Sequence, residues 1–190
     1  LAEARTETLS CAGVFEYCAE EAKRAYGCVA IRPAGQRAIV LKQPIGPVAS
    51  LTPWNFPVSL MSKKVAAALA TGCSVIAKPA EETPGSTSAI MRCLADAGIP
   101  AGVAQLVFGI PDMVSRQLLG SPISRKLSFT GSIPVGRHLM KLAADGITTH
   151  SFHPGTVGSN FFTHTTKDVQ DRYIGKPMLT MEEGADTLVW

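Results

Sequence analysis

The sequence lacks the features that would place a chain in a membrane or on nucleic acid. No apolar run approaches the ~18 residues that a membrane-spanning helix needs. No basic run is longer than Lys63-Lys64, and the net charge is +3 over 190 residues, so nucleic-acid binding is not indicated. The composition, 46% hydrophobic and 17% charged, is typical of a globular domain with a buried core.

Paired cysteines are also absent, since none of the cysteines stands in a C-x-x-C motif. They are Cys11, Cys18, Cys28, Cys73 and Cys93. This pattern favours free, mostly buried thiols in an intracellular reducing compartment, either the cytoplasm or the mitochondrial matrix. No signal peptide is visible, and a chain that starts at Leu1 and stops at Trp190 in mid-pattern suggests a fragment or a processed piece.

The N-terminal region predicts a helix followed by a hairpin. Residues 3–27 carry apolar side chains at helical spacing, and Gly27 is suited to end that helix. Two short strands, 29–31 and 38–41, flank the turn signal Pro33-Ala34-Gly35.

From Gly46 onward, short apolar strands alternate with longer helices. The predicted strands are 47–51, 74–77, 103–107 and 126–129, and the predicted helices are 57–70, 84–97, 111–119 and 134–144. Pro84 suits the start of its helix, and the Thr83 hydroxyl is placed to cap it. This alternation predicts an α/β fold, an open, doubly wound parallel sheet of Rossmann-like type with helices on both faces.

Three motifs directly follow predicted strands. They are Thr52-Pro53-Trp54-Asn55-Phe56-Pro57, Lys78-Pro79-Ala80-Glu81 and Phe129-Thr130-Gly131-Ser132. Ligands of such sheets bind beyond the carboxyl ends of the strands, so we expect the motifs to share one cleft. The third motif opens a helix whose free N–H groups suit a phosphate, although neither G-x-G-x-x-G nor a P-loop is present, and alone it fits a plain strand–helix turn as well.

In this order the motifs resemble the cofactor-binding domain of the aldehyde dehydrogenase family, most closely the succinate-semialdehyde dehydrogenases, over about residues 1–147. The resemblance implies a truncated cofactor domain of an oxidoreductase that converts an aldehyde to a carboxylate with NAD or NADP. Succinate semialdehyde is one candidate substrate. The N-terminal hairpin would belong to the element through which family members form homo-oligomers.

The resemblance also implies roles for the motif residues. Ser132 would meet the pyrophosphate, Val135 would line the adenine pocket, and Lys78 with Glu81 would hold the adenosine ribose. Because a carboxylate accepts hydrogen bonds from a 2′-OH and repels a 2′-phosphate, Glu81 favours NAD over NADP. The alternative for Lys78 and Glu81 is a solvated ion pair. The cofactor-binding candidates are Thr52, Pro53, Trp54, Lys78, Glu81, Gly109, Gly131, Ser132 and Val135.

Asn55 is the catalytic candidate. The family's matching asparagine donates its amide to the oxyanion of a thiohemiacetal, and losing such a donor costs about 3–4 kcal/mol of barrier. The alternative is that Asn55 caps the next helix. We expect the Trp54 side chain to pack, with backbone near it lining the nicotinamide side. Lys63 stands where the semialdehyde branch has an arginine that binds the substrate carboxylate. A lysine lacks the bidentate fork of arginine, and the alternative is that Lys63 is a solvated lysine on its helix.

The nucleophilic cysteine and the carboxylate base of the reaction are missing, because the family's E-L-G-G and G-Q-x-C segments do not occur in the sequence. We therefore expect this chain alone to be inactive. Two alternatives stay open, a non-catalytic nucleotide-binding or interaction module and an unstable remnant.

Residues 148–190 resemble the C-terminal part of short-chain dehydrogenases/reductases, through His153-Pro154-Gly155 and Glu182-Glu183-Gly184-Ala185. This suggests a fusion of two truncated nucleotide-binding folds, in which 149–153 enters the sheet as a fifth parallel strand. That gives three regions, a helix and hairpin at 1–45, an incomplete NAD(P)-binding domain at 46–147 and the tail at 148–190. The tail contains three histidines, His150, His153 and His164. No cysteine or carboxylate lies at metal-ligand spacing from them in the sequence, so no metal site is predicted.

Overall fold

The computed structural model describes residues 1–144 and 147–150, with side chains through residue 144 and at residue 147. The N-terminal region contains the predicted helix and hairpin: α1 spans Ala2–Ala22, and β1 (Cys28–Ala30) pairs antiparallel with β2 (Ala38–Val40).

The helix α1 is shorter than predicted. The N–H groups of Lys23 and Arg24 bond back to carbonyls three residues earlier, which tightens and ends the last turn. Gly27 has a different function from the predicted one. A Cβ atom at Gly27 would lie 1.9 Å from the carbonyl oxygen of Val40, so glycine permits close contact with the hairpin.

The remaining elements alternate strictly. They are β3 (Val48–Leu51), α2 (Ser59–Ala70), β4 (Val75–Lys78), α3 (Pro84–Asp96), β5 (Ala104–Leu106), α4 (Pro111–Leu119), β6 (Lys126–Phe129), α5 (Ile133–Leu142) and β7 (Thr148–His150). All neighbouring strands are parallel, in the order β5-β4-β3-β6-β7. This confirms the predicted doubly wound sheet.

The two faces of the sheet have separate cores. Val48 packs with residues of α2 and α3, whereas Ala49 packs on the other face with residues of α4 and α5. Since successive strand residues point to opposite faces, β3 contributes to both cores. The chain leaves the neighbouring strands β3 and β6 toward opposite faces, and this opens a crevice at their carboxyl ends.

The edge strand β7 lies where the sequence analysis places a fifth strand. Thr148 pairs with Lys126 and His150 with Ser128 in parallel register. Residues 151–153 of the predicted strand, with Pro154-Gly155 and the later histidines, lie outside the described residues.

The start of α2 is capped from a distant part of the chain. Glu7 of α1 accepts hydrogen bonds at one carboxylate oxygen from the N–H groups of Val58 (3.0 Å) and Ser59 (2.8 Å). Asn55 therefore does not cap this helix. Thr83 does precede α3, but its hydroxyl makes no capping bond there, contrary to the prediction.

The cysteines are free among the described residues, but they are not mostly buried. Cys11 and Cys73 are buried, whereas Cys28 and Cys93 are exposed. The prediction fails for Cys28 because the hairpin that carries it is itself largely exposed. No described helix combines the length and the apolar character needed to cross a membrane.

Candidate functional site

A cavity of about 220 Å³ lies at the carboxyl ends of the central strands, and we call it the carboxyl-edge cavity. It gathers residues from the loops after β3, β4 and β6, from α4 and from the first turn of α5. The lining residues are Leu51, Thr52, Pro53, Lys78, Ala80, Glu81, Pro111, Ser115, Phe129, Thr130, Gly131, Ser132 and Val135. The three motifs therefore meet, as predicted.

Backbone hydrogen bonds fix the strand ends to one another. The N–H of Thr52 donates to the carbonyl of Lys78 at 3.3 Å, and the N–H of Thr130 donates to the carbonyl of Leu51 at 3.1 Å. The ends of β3, β4 and β6 are thus held together where their loops begin. The sheet therefore positions the loops that line the cavity.

Lys78 is a buried cation in the cavity wall. It is 4% exposed, and its ammonium group forms an ion pair with Glu81, whose side chain is 42% exposed. A buried ammonium needs such a partner, because an unpaired charge in the protein interior is strongly unfavourable. The pair is therefore more than the solvated contact considered as the alternative.

Thr52 places a second polar group at the cavity. The residue is 7% exposed, and its hydroxyl oxygen has no hydrogen-bond partner among the described residues. An unpaired buried hydroxyl costs about 1–3 kcal/mol of stability.

The Gly131 turn requires glycine for a packing reason. A Cβ atom at Gly131 would lie 2.4 Å from Cζ of Phe129, whose ring also lies close to Gly136. Ser132, with extended φ and ψ of −72° and 152°, precedes the first residue of α5. The first N–H groups of that helix have no partner within it, so this end of the cavity suits an anion.

Three of the predicted residues that follow strands do not line the cavity. Trp54 is 60% exposed, so the expectation that its side chain packs is wrong; the chain bends into solvent just after β3. Asn55 is exposed in the same bend. Gly109 has φ +148° and precedes α4, which itself contributes to the cavity lining.

Lys63 also lies elsewhere. It is an exposed residue of α2 that lines a second, larger cavity, which has no lining residue in common with the carboxyl-edge cavity. The described residues therefore do not place Lys63 together with the cofactor candidates.

Sequence reasoning missed the contribution of α4. Pro111 and Ser115, one helical turn apart, line the cavity. Near them Asp112 connects α4 to α5. Its carboxylate accepts a hydrogen bond from Arg116 (2.7 Å) and lies 3.0 Å from Nε2 of His138, and these contacts, Arg116 first, lower the pKa of Asp112. The proline at the helix start was the available signal.

The sequence is similar to known proteins over most of its length. A profile of the aldehyde dehydrogenase family matches residues 1–170. The chain is 49% identical over 145 residues to 4-(hydroxymethyl)benzenesulfonate dehydrogenase of Comamonas testosteroni, covering 76% of this chain and 30% of that protein. It is 45% identical over 156 residues to succinate-semialdehyde dehydrogenase (NADP(+)) of Escherichia coli, covering 82% and 32%.

Solved structures agree with this assignment. The crystal structure of succinate-semialdehyde dehydrogenase from Burkholderia pseudomallei superimposes with a TM-score of 0.79 at 42% identity, over 82% of this chain and 33% of that one. The chain thus spans about a third of the length of the proteins it matches.

These matches correct the reading of the tail. The family profile does not stop at Ile147 but continues to residue 170. The resemblance of residues 148–190 to short-chain dehydrogenases/reductases finds no support, because local strings such as His153-Pro154-Gly155 are too short to identify a family. The resemblance of the rest is confirmed by the profile and by the shared three-dimensional fold. The chain belongs to the aldehyde dehydrogenase family.

Proposed function

We propose that the carboxyl-edge cavity binds the adenosine and pyrophosphate part of NAD, and that the chain supplies this part of an enzyme that oxidises aldehydes. The observation that carries the proposal is the meeting of Thr52, the Lys78–Glu81 pair and Ser132 in one cavity. These residues come from three different strand ends, and together they offer a hydroxyl, a carboxylate and a helix N-terminus.

Each group has a distinct task in this proposal. Glu81 accepts hydrogen bonds from the ribose hydroxyls, and Lys78 holds that carboxylate in place. Ser132 and the first N–H groups of α5 bind the pyrophosphate. Nicotinamide, when bound, accepts hydride from the substrate.

Cofactor preference follows from the carboxylate. Glu81 would repel a 2′-phosphate, so we propose NAD over NADP for this chain. The Escherichia coli relative is named for NADP(+). The preference for one of the two cofactors therefore has to be measured in each family member.

Asn55 supplies the oxyanion donor in the proposed reaction. Its amide is exposed, and Glu7 already caps the helix that follows, so the amide is free to donate to a developing negative charge. An aldehyde such as succinate semialdehyde is the proposed substrate, with Lys63 as a candidate for its carboxylate.

The chain alone is proposed to be inactive, because the E-L-G-G and G-Q-x-C segments do not occur in it. The alternative function, a nucleotide-binding module without catalysis, is favoured by the same observation. We further propose that residues 1–45 mediate contacts between copies, since Val29 and Ile39 are exposed apolar residues on the hairpin.

Calorimetry with NAD and NADP tests the cofactor proposal. We expect NAD to bind more tightly than NADP, and Glu81→Ser to narrow or reverse that preference, because the repelling carboxylate is lost. Glu82→Ser is the matched control, since Glu82 is the exposed neighbour and does not line the cavity.

Equal affinities for the two nucleotides, unchanged by Glu81→Ser, would remove Glu81 from the ribose site. An absence of binding by either nucleotide to the folded chain would refute the cavity assignment itself.

A further inference from the structure

One side-chain contact joins the two helices that contribute to the wall of the carboxyl-edge cavity. Pro111 of α4 and Val135 of α5 line that cavity. Asp112 directly follows Pro111, and His138 stands one helical turn after Val135. The side chains of Asp112 and His138 meet, and we call their meeting the α4–α5 contact.

The geometry of the α4–α5 contact gives each carboxylate oxygen of Asp112 its own partner. Nε2 of His138 lies 3.0 Å from Oδ1, and Nε of Arg116 donates to Oδ2 at 2.7 Å. No other side-chain hydrogen bond or ion pair joins α4 to α5 within these two described helices. Arg116 belongs to the same helix as Asp112, so only His138 connects this carboxylate to the opposite helix.

Apolar packing holds α4 at its other end. Leu118 and Leu119, in the last turn of α4, belong to the same core cluster as Leu139 of α5. Asp112 lies in the first turn, beside the cavity. The polar contact therefore acts on the end of α4 that lines the cavity.

We propose, on the basis of the proposed cofactor function of the cavity, that Asp112 and His138 are positioning residues for the bound nucleotide, and that a proton taken up by His138 tightens nucleotide binding. The cavity is open while the α4–α5 contact is formed. A stronger contact therefore stabilises an arrangement with room for a ligand, and a site held in its binding arrangement loses less entropy when the ligand binds.

The chemistry of imidazole makes this contact sensitive to pH. Histidine is the residue whose ordinary pKa, ~6.5, lies between pH 5 and 8. Neutral imidazole has one N–H group, so Nε2 donates to Asp112 in only one of two tautomers, whereas imidazolium donates from both nitrogens and carries a positive charge. Uptake of a proton by His138 therefore adds an ionic attraction to the α4–α5 contact.

The charges around the imidazole come from both helices. On α4 they are Asp112 and Arg116, and these contacts, Arg116 first and His138 second, lower the pKa of Asp112, so its carboxylate stays ionised as the pH falls toward 5. On α5 they are Arg137, one residue before His138, and Lys141, three residues after it. These cations oppose the uptake of a proton, whereas the contacting carboxylate favours it.

The strand beneath α5 adds no charge on this face. In β6, Leu127 packs with the α5 cluster, whereas Lys126 lies on the opposite face of the sheet. The side chains of His138 and Asp112 are 44% and 54% exposed, so solvent screens their attraction. We therefore expect an effect of about two- to fivefold on the dissociation constant, as is usual for exposed ion pairs.

Calorimetry of the full chain with NAD at two pH values is the test. NAD is the probe because neither its pyrophosphate nor its adenine changes charge between about pH 5.5 and 7.5. We expect NAD to bind about two- to fivefold more tightly at about pH 5.5 than at about pH 7.5, at constant ionic strength.

Four variants locate the origin of this pH dependence. His138→Gln and Asp112→Asn should each bring the ratio of the two affinities close to one, because the ionic attraction is lost. Arg116→Gln should keep the ratio or increase it, because Asp112 then has no competing cation. Arg137→Gln is the matched control, since it removes a charge beside His138 without touching the contact, and it should keep the ratio.

The unaltered chain supplies a second measurement that needs no variant to fold. Linkage is reciprocal, so NAD must favour the protonated imidazole as much as the proton favours NAD. In NMR spectra we expect the imidazole signal of His138 to titrate at a higher pH with saturating NAD than without it.

Equal NAD affinities at the two pH values, or a His138 titration that NAD does not move, would overturn the role of the α4–α5 contact and leave the cofactor proposal intact. The same conclusion follows if folded His138→Gln and Asp112→Asn both keep the pH dependence, because the tail histidines would then be its source. Absence of NAD binding at both pH values would instead refute the cofactor proposal, and the positioning role with it. Circular dichroism establishes that each variant retains its fold.

Discussion

Lys64 and Thr52 are cavity-lining residues whose polar groups have no charged partner among the described residues. Within the described part of the chain, the Thr52 hydroxyl is buried and unpaired, and the Lys64 ammonium bonds only to the Ser128 hydroxyl. Both arrangements cost free energy in the unliganded chain, because desolvation is not repaid by a protein partner. At the residue scale, the burial of each of these polar groups therefore lowers the free energy of unfolding.

The burial of the Lys64 ammonium predicts that the free energy of unfolding depends on pH. The pKa of Lys64 is about 8 in the folded chain against 10.5 for an ordinary lysine, so between these values the unfolded state binds more protons. The contribution of Lys64 to the free energy of unfolding therefore rises as the pH increases from about 8 to 10.5. Below pH 8 Lys64 is protonated in both the folded and the unfolded state, so the full free-energy cost of burying its charge is present.

We expect Lys64→Met to be more stable than the natural chain at pH 7, on the order of 1–3 kcal/mol, because the buried charge is removed. The advantage should shrink toward pH 10.5. Urea unfolding at several pH values measures it, with Lys63→Met as the exposed control on the same helix. A Lys64→Met advantage that stays constant with pH would contradict the assignment.

At the scale of elements, α2 depends on α1 for its start. The residue before the helix, Val58, makes no side-chain cap, and the carboxylate of Glu7 takes the free N–H groups instead. A negative charge at this end also interacts favourably with the helix dipole. Because α2 follows the Asn55 bend and carries Lys64, this contact bears on the placement of both residues.

Glu7→Ala should lower the free energy of unfolding by about 1–2 kcal/mol, as for the loss of other helix caps. Glu7→Gln should cost less, since an amide oxygen still accepts a hydrogen bond. Glu16→Ala, at an exposed position of the same helix, is the control. Equal unfolding midpoints for Glu7→Ala and Glu16→Ala in urea would show that the cap does not stabilise α2.

At the scale of the whole molecule, the chain corresponds to about a third of its relatives. That third contains the point between the neighbouring strands β3 and β6 at which the strand order reverses. Parallel sheets of this type bind their ligands at such a point. The proposed cofactor binding and the proposed lack of aldehyde oxidation can therefore be tested separately.

We expect the purified chain to bind NAD but to produce no NADH above background from succinate semialdehyde or simple aldehydes. The reason is the absence of the nucleophile and base segments from the sequence. Absorbance at the NADH band measures turnover, with a full-length family member as the positive control. Turnover that a single Cys→Ala change abolishes would identify a nucleophile outside the expected segment.

The sequence by itself determined the order of elements and the site motifs. Helix and strand periods, prolines such as Pro84 and Pro111 at helix starts, and the glycine turn at Gly131 are local signals, and each local signal produced the predicted element. Parallel pairing followed from the alternation of strands and helices, and with it the meeting of three motifs at one edge.

Only the tertiary structure decided which side chains those elements bury and which distant groups they bring together. The Glu7 cap on α2, the exposure of Trp54, the contribution of Ser115 to the carboxyl-edge cavity and the contact between Lys64 and Ser128 all join residues far apart in the chain or depend on what packs nearby. Burial and pKa depend on neighbours that strand order and helix packing supply, and no local pattern in the sequence records those neighbours.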